Sequence, residues 1–320
     1  MEKQNLIFSR FRESVTSSNS LIQAVADCLD LSYDAAYRRV QGKAKLSVDE
    51  AMKLAMYGQF SLDDLMVGEK KQTALGTATS SVHDMESLEN YLDETMANLK
   101  ALGKDGVELI YSAKDIPVYH HFDDTGLAAF KIFVWMQLLD STNRQSNFAD
   151  FHLPLNIKIK IKEIADLITS FKTIEIWNDT TVSSSLKQIR YFYESGALAL
   201  ETALALCKDL ETCLLRLENE LNKGTLELHY NELIIMTNNS MALKHGCPVA
   251  GFVTMTMLGY IRFTAPQMLQ EQHQDFQHQI EQSLSLSHAT SKDRKQFFQK
   301  MRQKINALQF YVERFENLEF

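Results

Sequence analysis

The stretch Ser20–Ser47, SLIQAVADCLDLSYDAAYRRVQGKAKLS, reads as two short helices joined by a tight turn. The rest of the N-terminal region is arranged around it. Ser20 and Gln23 stand at the S-x-x-Q spacing in which each side chain can meet the other's free backbone N–H at a helix start. Leu21, Val25 and Leu29 recur at helical spacing and are expected to face a core, and the small Ala26 admits a crossing helix. Asp30 occupies the turn, being one of the few residue types besides glycine that tolerate a left-handed backbone. Leu31 is expected to point inward and Ser32 to cap the second helix.

At about 100° per residue, Ala36 and Val40 mark the buried side of that second helix. Opposite them lie Asp34, Tyr37, Arg38 and Gln41, with Tyr33 and Arg39 on the flanks and Ala35 small enough for close approach. A polar, aromatic and cationic face suits base edges and phosphates. An arginine can contact guanine through two hydrogen bonds, which contributes about 1–3 kcal/mol of discrimination. Arg38 is the first candidate for that role. Arg39, Lys43 and Lys45 follow with no acid between Ala35 and Val48, and they add attraction to phosphates whatever the base sequence.

Residues 5–66 resemble the helix-turn-helix domain of the XRE class, the Cro and phage-repressor type. The resemblance is carried by Ala26, by the run Leu29-Asp30-Leu31-Ser32 and by Gly42 after the second helix. It implies a bundle of about five helices, with base contacts from Tyr33, Asp34 and Arg38 and a phosphate contact from Gln23. Joined to the helix face, this makes Tyr33, Asp34, Tyr37, Arg38 and Gln41 the candidate base contacts. Gln23, Ser32, Arg39, Lys43 and Lys45 are the candidate phosphate contacts. The chain departs from the family at two points: Asp30 stands at the usual turn glycine, and the apolar residue expected at Arg39 is displaced to Val40.

The 320 residues are enough for two domains, and the formal net charge is −8. Residues 1–72 balance ten Lys and Arg against ten Asp and Glu, so the acid excess lies downstream. A neutral head would bind nucleic acid through a local basic patch, and a dimer would double its phosphate contacts. Cys28, Cys207, Cys213 and Cys247 are scattered without a C-x-x-C pair and read as buried reduced thiols of a cytosolic protein. Neither a signal-peptide core nor an apolar run long enough to span a bilayer is present, so a cytoplasmic protein with no membrane partner is expected.

The expected fold is mainly α: an N-terminal five-helix helix-turn-helix domain (1–66), a linker (67–82) and a larger α+β domain (83–320) with a small antiparallel sheet. In the first domain a helix from Asn5 to Ser17 offers Leu6, Ile7, Phe11 and Val15 to the core. Ser47-Val48-Asp49-Glu50 is a capping box that opens a helix through Tyr57, with Met52, Leu54 and Ala55 inward, and Ser61–Leu65 forms a last turn. Farther on, helices are expected near 84–102, 127–139, 155–170 and 186–194, with strands near 107–112 and 173–177. The stripe Leu200, Leu204, Cys207, Leu210, Leu214, Leu217 and Leu221 marks a long helix, read as core packing rather than a dimer seam. Alternation from Leu226 to Phe263, including Leu233 to Met236, reads as an antiparallel meander before two closing helices near 266–286 and 291–315.

Little in this larger part points to chemistry. Adjacent His120 and His121 cannot easily share one metal ion, because neighbours point about 100° apart on a helix and oppositely on a strand. His245-Gly246-Cys247 is the other grouping of interest, and no hydrolase, zincin, P-loop or dinucleotide motif occurs. No catalytic residue, metal site or cofactor is therefore expected, and the histidines are read as surface or hydrogen-bonded structural residues. The aromatic residues from Tyr119 to Tyr193 are read as core, with an effector pocket as the alternative. The expected function is a sequence-specific, homodimeric DNA-binding transcription regulator and not an enzyme. Its partners would be double-stranded DNA, a second copy of the chain and an unidentified small-molecule or peptide effector. The alternative is a protein-interaction adaptor whose head no longer binds DNA.

Overall fold

The computed structural model describes residues 2–14, 20–58, 60, 62, 65, 76–122, 126–140 and 147–316. The chain divides into two units, 1–75 and 76–320. In unit 1 the described helices are α1 (Glu2–Ser14), α2 (Leu21–Leu29), α3 (Tyr33–Val40) and α4 (Val48–Gly58). Each is too short to be stable alone, so mutual packing holds them. Phe8, Phe11, Val25, Ala26, Leu29, Ala36 and Leu54 form the buried centre. Gly58 permits the close approach of α4 to α1, since a Cβ there would lie 2.7 Å from Ser14 Oγ.

Three expectations for this unit change. Leu6 is 46 % exposed and Phe8 takes the core position beside Phe11. Met52 is half exposed, leaving Leu54 and Ala55 to face inward from α4. Four α-helices rather than five are found among the described residues; Val15 and most of the expected last turn, Ser61–Leu65, lie outside them.

Unit 2 carries β1 (Gly76–Ala78), α5 (Met85–Ala101), β2 (Val107–Ala113), α6 (Gly126–Leu139), α7 (Leu155–Ile168) and β3 (Lys172–Trp177). These are followed by α8 (Thr180–Glu194), α9 (Leu200–Lys223), β4 (Leu226–Tyr230), β5 (Ser240–Lys244), β6 (Cys247–Thr254), β7 (Tyr260–Phe263), α10 (Pro266–Glu281), β8 (Leu284–Ser285) and α11 (Ser291–Glu316). The strands form one eight-stranded sheet in the order β1-β7-β6-β5-β2-β3-β4-β8. Its centre, β2-β3-β4, is parallel, and the remaining pairs are antiparallel.

The sheet overturns the expected small antiparallel meander. Parallel neighbours need a crossover of about a dozen residues or more, and the α6–α7 and α8–α9 segments supply it. The alternation of strand and helix from β2 to β4 is thus the signature of an α/β core, and β4 belongs to it rather than to the later hairpins. Leu233–Met236, expected as a strand, is irregular, with Leu233 and Ile235 exposed and Met236 buried. Part of the expected linker also joins the sheet: β1 pairs along β7, and Thr79 is buried.

Side-chain alternation assigns each face of the sheet. Ile110, Ile174, Ile176, Met241 and Phe263 meet Leu269 and Phe276 of α10 on one side. On the other, α6 lies between two apolar clusters, with Phe130 and Phe133 towards α8, α9 and α11 and with Ile132, Trp135 and Met136 towards α5 and α7. A helix apolar all round needs such burial. The α9 stripe is core: Leu206, Cys207, Leu210, Leu214, Leu217 and Leu221 pack with Phe298, Met301, Ile305 and Val312 of α11. Among the described residues no helix is long and apolar enough to cross a membrane.

Candidate nucleic-acid interface

Side-chain caps and one left-handed residue set the geometry of α2 and α3. Ser20 Oγ accepts the Gln23 N–H, but the Gln23 amide donates to Asp27 Oδ1 at 2.8 Å instead of returning to Ser20, so only half of the reciprocal cap forms. Asp30 closes α2 at φ 55°, ψ 52°, and Leu31 N–H reaches back to Ala26 O at 3.0 Å. Ser32 Oγ then accepts the Ala35 N–H at 3.3 Å to start α3. Beyond α3 the chain reverses at Gly42, φ 69°, with Ala44 N–H on Arg38 O at 2.9 Å. The next helix opens on a complete capping box, in which Ser47 N–H donates to Glu50 Oε2 at 2.9 Å and Glu50 N–H to Ser47 Oγ at 3.1 Å.

This frame turns Ala36 fully into the core. Tyr33, Asp34, Tyr37, Arg38 and Gln41 are all exposed on the opposite side of α3. Gln23, Ser32, Lys43 and Lys45 are exposed as well. Among the described residues, the side chains of Tyr33, Asp34, Arg38, Gln41 and Lys45 make no hydrogen bond or ion pair, and Lys43 Nζ stands 5.4 Å from the Tyr37 ring centroid. The free cations of this surface are therefore Arg38, Lys43 and Lys45.

Arg39 is placed differently. Its guanidinium pairs with Glu50 Oε1 at 2.8 Å and donates to Ala35 O at 3.2 Å, with only 21 % of the side chain exposed. It thereby ties α3 to α4 and is removed from the phosphate-facing set. Burial by itself would raise the Glu50 carboxyl, but the Arg39 hydrogen bond and charge and the Ser47 N–H outweigh it and hold the group below its ordinary value. Sequence periodicity puts Arg39 on a flank without naming its partner across the turn. Gln4 carries no sequence signal for its role: from α1 it donates to Arg39 O and Ala44 O and accepts the Leu46 N–H.

In unit 2 the acid of β3 and the lysine of α6 are buried and paired, whereas His245 and Cys247 are exposed. Glu175, on β3, accepts from Tyr119 OH at 2.8 Å and Trp177 Nε1 at 2.8 Å and lies 2.7 Å from His120 Nε2. Burial pushes its carboxyl up, while His120 and these hydrogen bonds pull it further down, leaving it below the ordinary value. Lys131, buried in α6, donates to Asp115, Gln188 and Ser185. The reading of hydrogen-bonded structural histidines fits His120 but not His121, which is fully buried with neither ring nitrogen partnered among the described residues. The expectation for the thiols needs correction too: Cys207 and Cys213 are buried, Cys28 is partly so and Cys247 is exposed. Among the described residues no group of three or more His, Cys, Asp or Glu side chains is placed to hold a metal ion.

Comparison of the chain with protein-family models, with characterised proteins and with solved structures yields no match in any of the three.

Proposed function

We propose that the chain is a sequence-specific DNA-binding transcription regulator of the XRE helix-turn-helix type, acting as a cytoplasmic homodimer. The observation that carries this reading is the α3 surface: Tyr33, Asp34, Tyr37, Arg38 and Gln41 stand exposed on one side, beside the unpaired Lys43 and Lys45. In this reading α3 enters a major groove. Arg38 reads a base edge, with Tyr33, Asp34, Tyr37 and Gln41 around it, while Gln23, Ser32, Lys43 and Lys45 meet the flanking phosphates. Unit 2 holds two copies together. Any effector acts there by binding one arrangement of the dimer more tightly than another.

Binding to a random duplex should weaken steeply as salt rises, because each neutralised phosphate releases condensed counterions. Arg38→Ala should cost about 1–3 kcal/mol on the preferred site and far less on random DNA, whereas Lys43→Ala should weaken both alike. Equal losses in the two variants would remove Arg38 from base reading. A protein-interaction adaptor is the second reading, favoured by Val48, Met52 and Met56, which are 75, 50 and 78 % exposed one turn apart along α4. Failure to bind duplex at low salt would select it.

A further inference from the structure

We infer that Gln4 is a positioning residue for phosphate binding, acting through the loop that carries Lys43 and Lys45; the inference rests on the DNA-binding reading and deepens it. Lys43 and Lys45 lie between α3 and α4, where the backbone has no regular hydrogen-bond ladder to fix it. Gln4 provides that fixation from α1. Its amide nitrogen donates to Arg39 O and Ala44 O, both at 2.8 Å, and its amide oxygen accepts Leu46 N–H at 3.2 Å. Arg39 lies in the last turn of α3, Ala44 separates the two lysines and Leu46 follows the second. One carboxamide thus holds the loop before, between and after its two free ammonium groups.

The side-chain type is set by the task. Two donors and an acceptor on one planar group match two carbonyls and one N–H; a glutamate would bring only acceptors to the carbonyls, and a lysine could not receive the Leu46 N–H. Lys43 is further restrained over the Tyr37 ring, so the loop and the reading face of α3 form one surface. With Gln4 in place, the ammonium groups reach phosphates without first ordering the loop. Without it, the loop no longer holds the two ammonium groups against phosphates, and those contacts are lost from every sequence equally, because they read no base.

The test uses the full chain and labelled duplexes, one random and one carrying the preferred site, titrated at several salt concentrations. For the unsubstituted protein, log K should fall linearly with log salt, and the Lys43→Ala/Lys45→Ala pair should reduce the slope by about two for each head bound, so by about four for a dimer. Gln4→Met should reduce it by about one to two for each head bound and weaken both duplexes by the same factor. Added to the lysine pair, Gln4→Met should have little further effect, which is the coupling expected of residues acting through one another. Amide exchange read without DNA should quicken at Leu46 and leave the α2 amides protected, which separates loop release from loss of fold. An unchanged slope in Gln4→Met overturns the inference alone, as does an equal loss with and without the two lysines. Absence of salt-dependent binding by the unsubstituted protein overturns the DNA-binding reading and the inference with it.

Discussion

His121 is held where an imidazole has least reason to be. It is fully buried, neither ring nitrogen has a partner among the described residues, and burial first, then Lys131, His120 and Arg216, depress its pKa well below the ordinary value. The folded chain therefore holds it neutral, while the unfolded chain protonates it below about pH 6.5. Its contribution to stability is complete above that pH and declines as pH falls, because the unfolded state binds the extra proton. His121→Leu should flatten the acid side of the stability profile and, by removing unpaired polar atoms, add about 1–3 kcal/mol at neutral pH. A stability profile with the same acid slope in the variant would show that the slope arises elsewhere. Glu50 has the opposite charge type and the same sign of dependence: its depressed carboxyl pKa gives stability that is full above about pH 4.3 and lost as pH drops through the folded value. Glu50→Gln should cost unit 1 about 1 kcal/mol at neutral pH and nothing once the carboxyl is protonated, as read by denaturant titration at several pH values.

Among the elements, the reversal after α3 is where a small change should be felt most. Gly42 adopts φ 69°, a conformation that disfavours any residue with a Cβ. Gly42→Ala should destabilise unit 1 by about 1 kcal/mol. In thermal unfolding this is a lower midpoint for unit 1 alone, and a shift of both units would refute the local origin. The elements also divide by how readable they are. α2 and α3 were legible because apolar spacing, Ser32 and Asp30 agree on one local structure. Their stabilising ties were not: Gln4 meets backbone groups 35 to 42 residues away, and nothing in a side chain's type announces that. Glu175 was equally hidden, since an acid alternating with apolar residues in a strand reads as solvent-facing until Tyr119, His120 and Trp177 are brought against it.

At the scale of the molecule, the order of strands depends on which element crosses over which, and hydrophobic periodicity carries no such information. Positions of α5, α6, α9 and α11 were therefore readable from their apolar stripes, whereas the parallel β2-β3-β4 centre is signalled only by the alternation of strand with helix along the chain. The same scale decides how DNA would be bound. The chain carries a net charge of −8, and among the described residues the exposed α3 surface and the loop after it have three cations without a hydrogen bond or ion pair, Arg38, Lys43 and Lys45. On the proposed reading one head would be a weak binder, and a second head held at a fixed spacing would supply the missing phosphate contacts. Coupling two modules can raise affinity by about 10²–10⁴ over one alone. Half-sites about 34 Å apart lie on one side of the duplex, so inserting about five base pairs between them should place them on opposite sides and reduce binding towards that of a single half-site. Gel shift with the preferred site should show two chains per duplex and this phase dependence. One chain per duplex, or affinity indifferent to the insertion, would rule out the dimeric arrangement while leaving base reading by a single α3 open to the Arg38→Ala comparison.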